Sequence, residues 1–385
     1  LSGADGLWPS RTQELLLRSA VGPPDAARAS WWEWGAELDI DDIDHASFRL
    51  LGLIWRRMEP LGLEHPAAGR IKGAYRQTWV RSNLLVTAVT PMLRSFSDAG
   101  IETLLMKGLP IALEYYQDLG ARWMADADVL VPLDRLAEAH ALLESQGWKS
   151  INGDPTEVVT IWQGTPYVNA GGNQIDLHWR ALWQPAPDDD FRAAAVPITV
   201  GDVETTTLCR EDHLLHTCVH GAIREFAPRI TWLADAAVLI GDGDLDWQRF
   251  IDRARARQTT VASAAVLSYL CERLEVPVPA SAIADLRATR APLAERAAFR
   301  AADRPLGTRT ASVLWDRYRR FDALGVPGPR PPGFLAYASE TLGFERRSEL
   351  LLAGPRRAGR FVRSRLPKAV GGLGDPDAAR GPDAA

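Results

Sequence analysis

Three short stretches hold side chains that could do chemistry together. An apolar run, Leu104-Leu105-Met106, ends in Lys107-Gly108. A second, Val129-Leu130-Val131, follows Asp126 and Asp128, and a third segment reads Gln174-Ile175-Asp176-Leu177-His178-Trp179. Side chains alternate faces along a strand, so Asp126 and Asp128 project to one side. Two carboxylates on one face of an apolar strand repel each other. Burial strengthens the repulsion, so a cation is the natural partner. Magnesium takes oxygen ligands, commonly one or two protein carboxylates with phosphate oxygens and waters. Asp176, flanked by apolar residues, is the candidate third carboxylate of a two-metal arrangement for phosphoryl or nucleotidyl transfer. His178 lies two positions further and shares that face. It suits orienting a carboxylate, contacting phosphate or lining an interface.

Lys107-Gly108 falls where a strand meets a helix. Glycine there permits close backbone approach, and a helix N-terminus offers N–H groups to phosphate. Lys107 could add a point charge for a triphosphate, or serve structurally as the counter-ion of Asp126 or Asp128. Arg122, just upstream of the aspartates, suits either phosphate binding or pairing with Asp118.

These residues need a sheet to align them. Residues 101–208 read as a compact α/β unit with a mixed sheet. The pattern predicts a strand at Thr103–Met106, then a helix with Pro110 in its first turn that closes at Gly120. A strand at Asp126–Val131 precedes a helix from Pro132 to Gly147. Short strands are expected around Lys149–Asn152, Glu157–Gln163 and Gln174–Arg180.

Residues 1–100 read as a helical region. An amphipathic segment opens at Gln13 and breaks at Pro23-Pro24. A helix is expected from about Asp44 to Met58, its acidic lead-in serving as a cap and not as a metal site. Residues 70–99 look helical, kinked or split at Pro91 and stopped near Gly100. A second helical region covers 209–345, with helices expected at Glu211–Ala222, Thr231–Ile240, Trp247–Arg257, Thr260–Leu274 and about Ser281–Arg300. The last stretch, 346–385, joins a basic run (Arg356, Arg357, Arg360, Arg363, Arg365, Lys368), read as a solvated helix face, to a tail of disordered composition.

Two other motifs invite metal readings. His213, His216 and His220 fall at i, i+3 and i+7 on one helix face, but i+7 spans roughly 10 Å, too far for one zinc ion. His216 and His220 alone could share a metal with an outside ligand, but the three are better read as lining a cleft or satisfying buried hydrogen bonds. Gly241-Asp242-Gly243-Asp244-Leu245-Asp246 fails as a calcium loop, because the twelfth position counted from Asp242 is Arg253. It reads as a turn and a cap before Trp247.

The constellation resembles the nucleotidyltransferase superfamily with the polymerase-β-like fold. In detail it is similar to the bacterial uncharacterised nucleotidyltransferase family. That family has a Lys-Gly strand end, an Arg-x-x-x-Asp-x-Asp-x-Leu-Val strand and an Ile-Asp-Leu-His-Trp strand. They stand here as Lys107-Gly108, Arg122 to Val131 and Ile175 to Trp179, with a similar histidine-bearing helix from Glu211 to Gly221, over most of residues 10–260. The resemblance implies an α+β fold: a small mixed-sheet nucleotidyltransferase core between helical regions. It implies magnesium-dependent (or manganese-dependent) transfer of a nucleoside monophosphate, AMP from ATP before other NTPs, to a small-molecule or peptide acceptor. Biosynthesis of natural-product peptides is one such setting. Asp126, Asp128 and Asp176 would be the metal ligands and catalytic carboxylates. Lys107, Gly108, Arg122, His178 and His220 would face the nucleotide. The sequence departs from the wider superfamily at Leu109-Pro110, where Gly-Ser is usual. That departure leaves room for an alternative, an inactive scaffold that binds a partner protein or peptide.

Composition narrows the field. A net charge of −5 over 385 residues argues against a nucleic-acid partner. Three cysteines form no CxxC and no paired framework, which suits a reduced, cytoplasmic setting. No apolar run has the length of a membrane span, and no secretory leader pattern opens the sequence. Fourteen scattered tryptophans read as core and interface filler.

Overall fold

A computed structural model of the chain describes residues 7–37, 40–159, 162–182, 187–223, 230–241 and 245–302, with 314–315, 317–319, 321–324 and 331–341 beyond them. The basic segment and the tail expected over 346–385 lie outside the described residues, as does Asp242 to Asp244 of the acidic loop.

The N-terminal helices follow their caps. Ser10 and Gln13 form a capping box for α1 (Arg11–Val21), and Pro24 opens α2 (Pro24–Glu37). Asp44 accepts from the N–H groups of Ala46 and Ser47, which makes it the expected cap. The helix that it starts is not the single one expected from Asp44 to Met58. It breaks after one turn into α3 (His45–Phe48) and α4 (Leu51–Leu61). At Gly52 of α4 a Cβ would meet the Gly120 carbonyl oxygen at 2.2 Å, so α4 is pressed onto that loop. α5 (Ala68–Asp98) runs through Pro91 without the split that was one of the two expected outcomes. Val89, Met92, Leu93 and Phe96, all buried on the sheet, hold the helix across the missing N–H.

The sheet has seven strands: β1 (Leu104–Met106), β2 (Asp126–Leu130), β3 (Lys149–Ser150), β4 (Gly164–Val168), β5 (Gln174–His178), β6 (Val196–Val200) and β7 (Val203–Thr207). Their order is β3-β4-β5-β2-β1-β7-β6. β2 runs antiparallel to β1 and parallel to β5, so the sheet is mixed. Two expectations fail here. The described residues of Glu157–Gln163 hold no strand (160 and 161 lie outside the described residues); Asp154 caps a 3-10 turn over Pro155–Val158, and a strand begins at Gly164. The β6–β7 hairpin was not anticipated, although Gly201-Asp202 between β-branched residues is a hairpin signal, and Gly201 has φ +62°.

Strand alternation splits the sheet chemically. Leu105, Ala127, Val129, Ile175 and Leu177 point to one face and join α5 and α7 (Leu136–Ser145) in a dry core. Leu104, Met106 and Leu130 point to the other face. There they pack with α9 (Arg210–Ile223), after the short α8 (Asp189–Ala193), and with α10 (Thr231–Ile240). The helices before and after the sheet share this second core, since α1 packs against α10 and α12 (Thr260–Leu274). α11 (Trp247–Ala256) is capped by Asp246, as the sequence suggested. The run expected from Ser281 to Arg300 is two helices, α13 (Ala280–Ala288) and α14 (Leu293–Ala302), parted at Pro292. No helix among the described residues is long and apolar enough to cross a membrane.

Candidate functional site

The acidic residues lie on the face turned toward α9 and α10. In the parallel pairing of β2 with β5, Asp128 stands opposite Asp176 and Leu130 opposite His178. Asp128, Asp176 and His178 each offer a ligand atom, and these atoms lie within 4.8 Å of one another. Asp126 is opposite Gln174 and falls outside that group. The expected set of Asp126, Asp128 and Asp176 is thus brought together only in its last two members, and His178 takes the third place.

Asp128 is the most constrained of these groups. Its side chain is 5% exposed, against 23% for Asp176. His178 Nε2–H donates to Asp128 Oδ1 at 2.9 Å and stands 4.0 Å from Asp176 Oδ2. The Lys107 ammonium donates to the same Oδ1 and lies 3.5 Å from His178 Nε2. Burial by itself would raise the Asp128 carboxyl. The charge of Lys107 and the hydrogen bond and charge of His178 override it, so the carboxyl sits well below its ordinary value and stays ionised. Both contacts fall on Oδ1, which leaves Oδ2 to a further partner.

Gly164 on β4 explains how the imidazole fits. A Cβ there would meet His178 Nδ1 at 2.7 Å and Cγ at 2.9 Å. Sequence reasoning did not single out Gly164, and its only signal was a glycine at the start of a strand.

Lys107 links β1 to α6 (Gly108–Ile111), and Pro110 lies in that helix as expected. A π-helical turn, Ala112–Tyr116, continues it and ends at Gln117 with φ +53°, three residues before the expected stop at Gly120. Gly108 is buried, and the space over it belongs to Arg122: a Cβ would meet Arg122 Nη1 at 2.6 Å. Arg122 does not pair with Asp118, whose carboxylate takes the Tyr75 hydroxyl and the Gly120 N–H instead. Arg122 makes a bidentate ion pair with Asp235 of α10, Nε to Oδ1 at 2.9 Å and Nη2 to Oδ2 at 2.7 Å. The Tyr116 hydroxyl donates to the same carboxylate at 3.0 Å. Burial opposes the Arg122 charge, but Asp235 outweighs it and raises the guanidinium pKa. Arg122 therefore ties the Lys-Gly turn and the approach to β2 onto α10. Asp235 was missed in the sequence, though a lone carboxylate in the apolar run Thr231 to Ile240 was a legible sign of a buried cation.

The histidines of α9 separate in role. His213 Nε2 meets Thr207 Oγ1 at 2.9 Å, and His216 Nε2–H donates to the Ala181 carbonyl at 2.8 Å. Burial, reinforced by Arg122, lowers His213 to about 3; burial and Lys107 lower His216 to about 3. Both are neutral at physiological pH. His220 stacks on His216 at 5.6 Å between ring centroids. No three of these residues form a metal group, whereas Asp128, Asp176 and His178 do, among the described residues.

A family model described as uncharacterised nucleotidyltransferase matches residues 46–275. The chain belongs to that family. The matched span contains every residue of the cluster, together with Lys107, Arg122, Asp235 and the α9 histidines. A crystal structure described as an antigenic nucleotidyltransferase-like protein from Paracoccidioides brasiliensis aligns with 52% of this chain and 95% of its own, at 17% identity and a TM-score of 0.35. That likeness is too distant to inform the site. No protein with a curated description matches the sequence.

For a member of this family, the donor set fits a divalent cation. Two carboxylates and an imidazole converge, and the more buried carboxylate is kept ionised. Carboxylate oxygens suit magnesium and manganese alike.

Proposed function

We propose that the chain is an active nucleotidyltransferase that moves a nucleoside monophosphate, AMP from ATP in the first instance, to a small-molecule or peptide acceptor. The observation that supports this most is the register of Asp128 opposite Asp176 beside His178, within a chain of the nucleotidyltransferase family. Asp128 and Asp176 would hold magnesium, or manganese, with His178 as a further ligand or as the group that orients Asp128. Asp126, on the same strand face, would complete the carboxylate row. The bound metal would neutralise phosphate charge and favour the attacking oxygen. Lys107 would supply a point charge to the phosphates. His216 and His220 would border the nucleotide, His216 as a neutral imidazole. A net charge of −5 disfavours a polyanionic acceptor. A reducing, cytoplasmic compartment suits the three free cysteines and the supply of ATP.

The test is incubation of the protein with labelled nucleotides, magnesium and candidate acceptors, read by mass spectrometry for a mononucleotide adduct. Asp126→Asn and Asp128→Asn, with folding intact, should each abolish the adduct. Unchanged turnover in both would end the proposal. One observation favours a second reading, a scaffold without catalysis: Lys107 already supplies Asp128 with a counter-ion. Calorimetry separates the two, since the scaffold predicts no binding of magnesium and ATP at millimolar nucleotide.

A further inference from the structure

Lys107 stands where its backbone alone would not put a lysine. It has φ +55° and ψ −127°, the left-handed side of conformational space, which residues with a Cβ avoid. Such positions persist where surrounding contacts over-determine them, and they gather at functional sites. Here the over-determining contact is the side chain. Its ammonium rests on Asp128 Oδ1 and lies 3.5 Å from His178 Nε2, and only 15% of the side chain is exposed.

The charges at the site do not balance. Asp128 and Asp176 are two carboxylates with ligand atoms in one cluster, and among the described residues Lys107 is the permanent cation that pairs with it. A divalent ion would neutralise both carboxylates, a task that one ammonium leaves half done. Seated on the other oxygen, Oδ2, it would share one small carboxylate with the Lys107 ammonium on Oδ1 and repel it. The two cations compete for one carboxylate.

The geometry points to Lys107 as a placeholder cation, seated on Asp128 while the metal is away and released to the nucleotide's phosphates when the metal arrives. This rests on the reading of the cluster as a metal site. It differs from a fixed phosphate ligand, because the lysine then opposes metal binding when no nucleotide is present. It differs from a structural counter-ion, because the lysine has a second destination. Metal and triphosphate are consequently coupled: phosphate offers the displaced ammonium a new partner, so each ligand tightens the other by the same factor.

Manganese serves as the probe, followed by the resonance of the free ion, alone and with α,β-methylene ATP. Lys107→Met removes the ammonium. Lys107→Gly removes it and also relieves the positive φ, so at least one variant should keep the fold, as thermal melting will report. Both folded variants are expected to bind manganese alone roughly tenfold tighter than the unaltered protein. The analogue should tighten manganese binding in the unaltered protein and do so far less in either variant. Equal or weaker binding of manganese alone in both folded variants overturns the placeholder. Asp128→Asn distinguishes the underlying reading. If the unaltered protein binds no manganese, or Asp128→Asn binds it undiminished, the metal site itself fails and the placeholder with it.

Discussion

Replacing Asp235 by alanine would leave the Arg122 guanidinium buried without its counter-ion. The side chains of the pair are 13% and 4% exposed, so water cannot take over the missing contact without opening the core. Both hydrogen bonds of the fork are lost, at 2.9 and 2.7 Å, and the Tyr116 hydroxyl loses its acceptor at 3.0 Å. Removing one partner of a buried ion pair costs about 3–5 kcal/mol. The orphaned hydroxyl adds to that, up to about 1–3 kcal/mol, though the losses share one carboxylate and will not sum. Against a total stability of about 5–15 kcal/mol this is a large fraction. The assay is thermal unfolding by far-UV circular dichroism, where Tm should fall by at least about 6 °C. A double-mutant cycle sharpens it. Arg122→Met combined with Asp235→Ala replaces both charges, so it should recover about 2 kcal/mol or more relative to the sum of the single changes. The reasoning is refuted if Asp235→Ala stays within about 1 kcal/mol of the unaltered protein, or if the two changes add. Either result would mean that Arg122 is free to serve as the phosphate ligand its position in the sequence suggests.

Gly108→Ala should destabilise the protein by about 1–3 kcal/mol, because its Cβ would meet Arg122 Nη1 at 2.6 Å, and Arg122→Met should relieve most of that in a urea titration. A pH series of melting curves tests the buried histidines. His213 and His216 are lowered from 6.5 to about 3 in the folded chain, so the unfolded chain binds protons first as pH falls. Stability from these groups is full above about pH 6.5 and drains away toward pH 3, by roughly 3 kcal/mol per histidine at pH 4.5. His216→Gln should flatten that acid slope, and an unchanged slope would show that the imidazole is not held neutral by burial.

Much of the sheet was legible because strands announce themselves by period and punctuation. Leu104-Leu105-Met106 before Lys-Gly, and Val129 to Val131 after the aspartates, left little choice of structure. The same holds for Asp44 and Asp246, whose capping roles are local hydrogen-bonding chemistry. Pro91 does not split its helix, because the buried residues around it hold the run together where local propensity alone would allow a break. The β-branched residues after Glu157 favour a strand by propensity, yet the cap at Asp154-Pro155 starts a 3-10 turn over Pro155–Val158 instead.

The sequence by itself determined that Asp126 and Asp128 share a face, since that follows from a period of two. It also determined that a carboxylate pair there needs a cation, and that Asp176 and His178 share a face of their own. It could not determine the register between β2 and β5. Register is a matter of how two distant segments pair, and a shift by two residues would have set Asp126 against Asp176 instead of Asp128. Tertiary structure alone chose His178 over Asp126 as the third member of the cluster and Lys107 as the resident cation. It also paired Arg122 with Asp235, more than a hundred residues later in the chain. Charge demands a partner, but only packing in three dimensions decides which one is within reach.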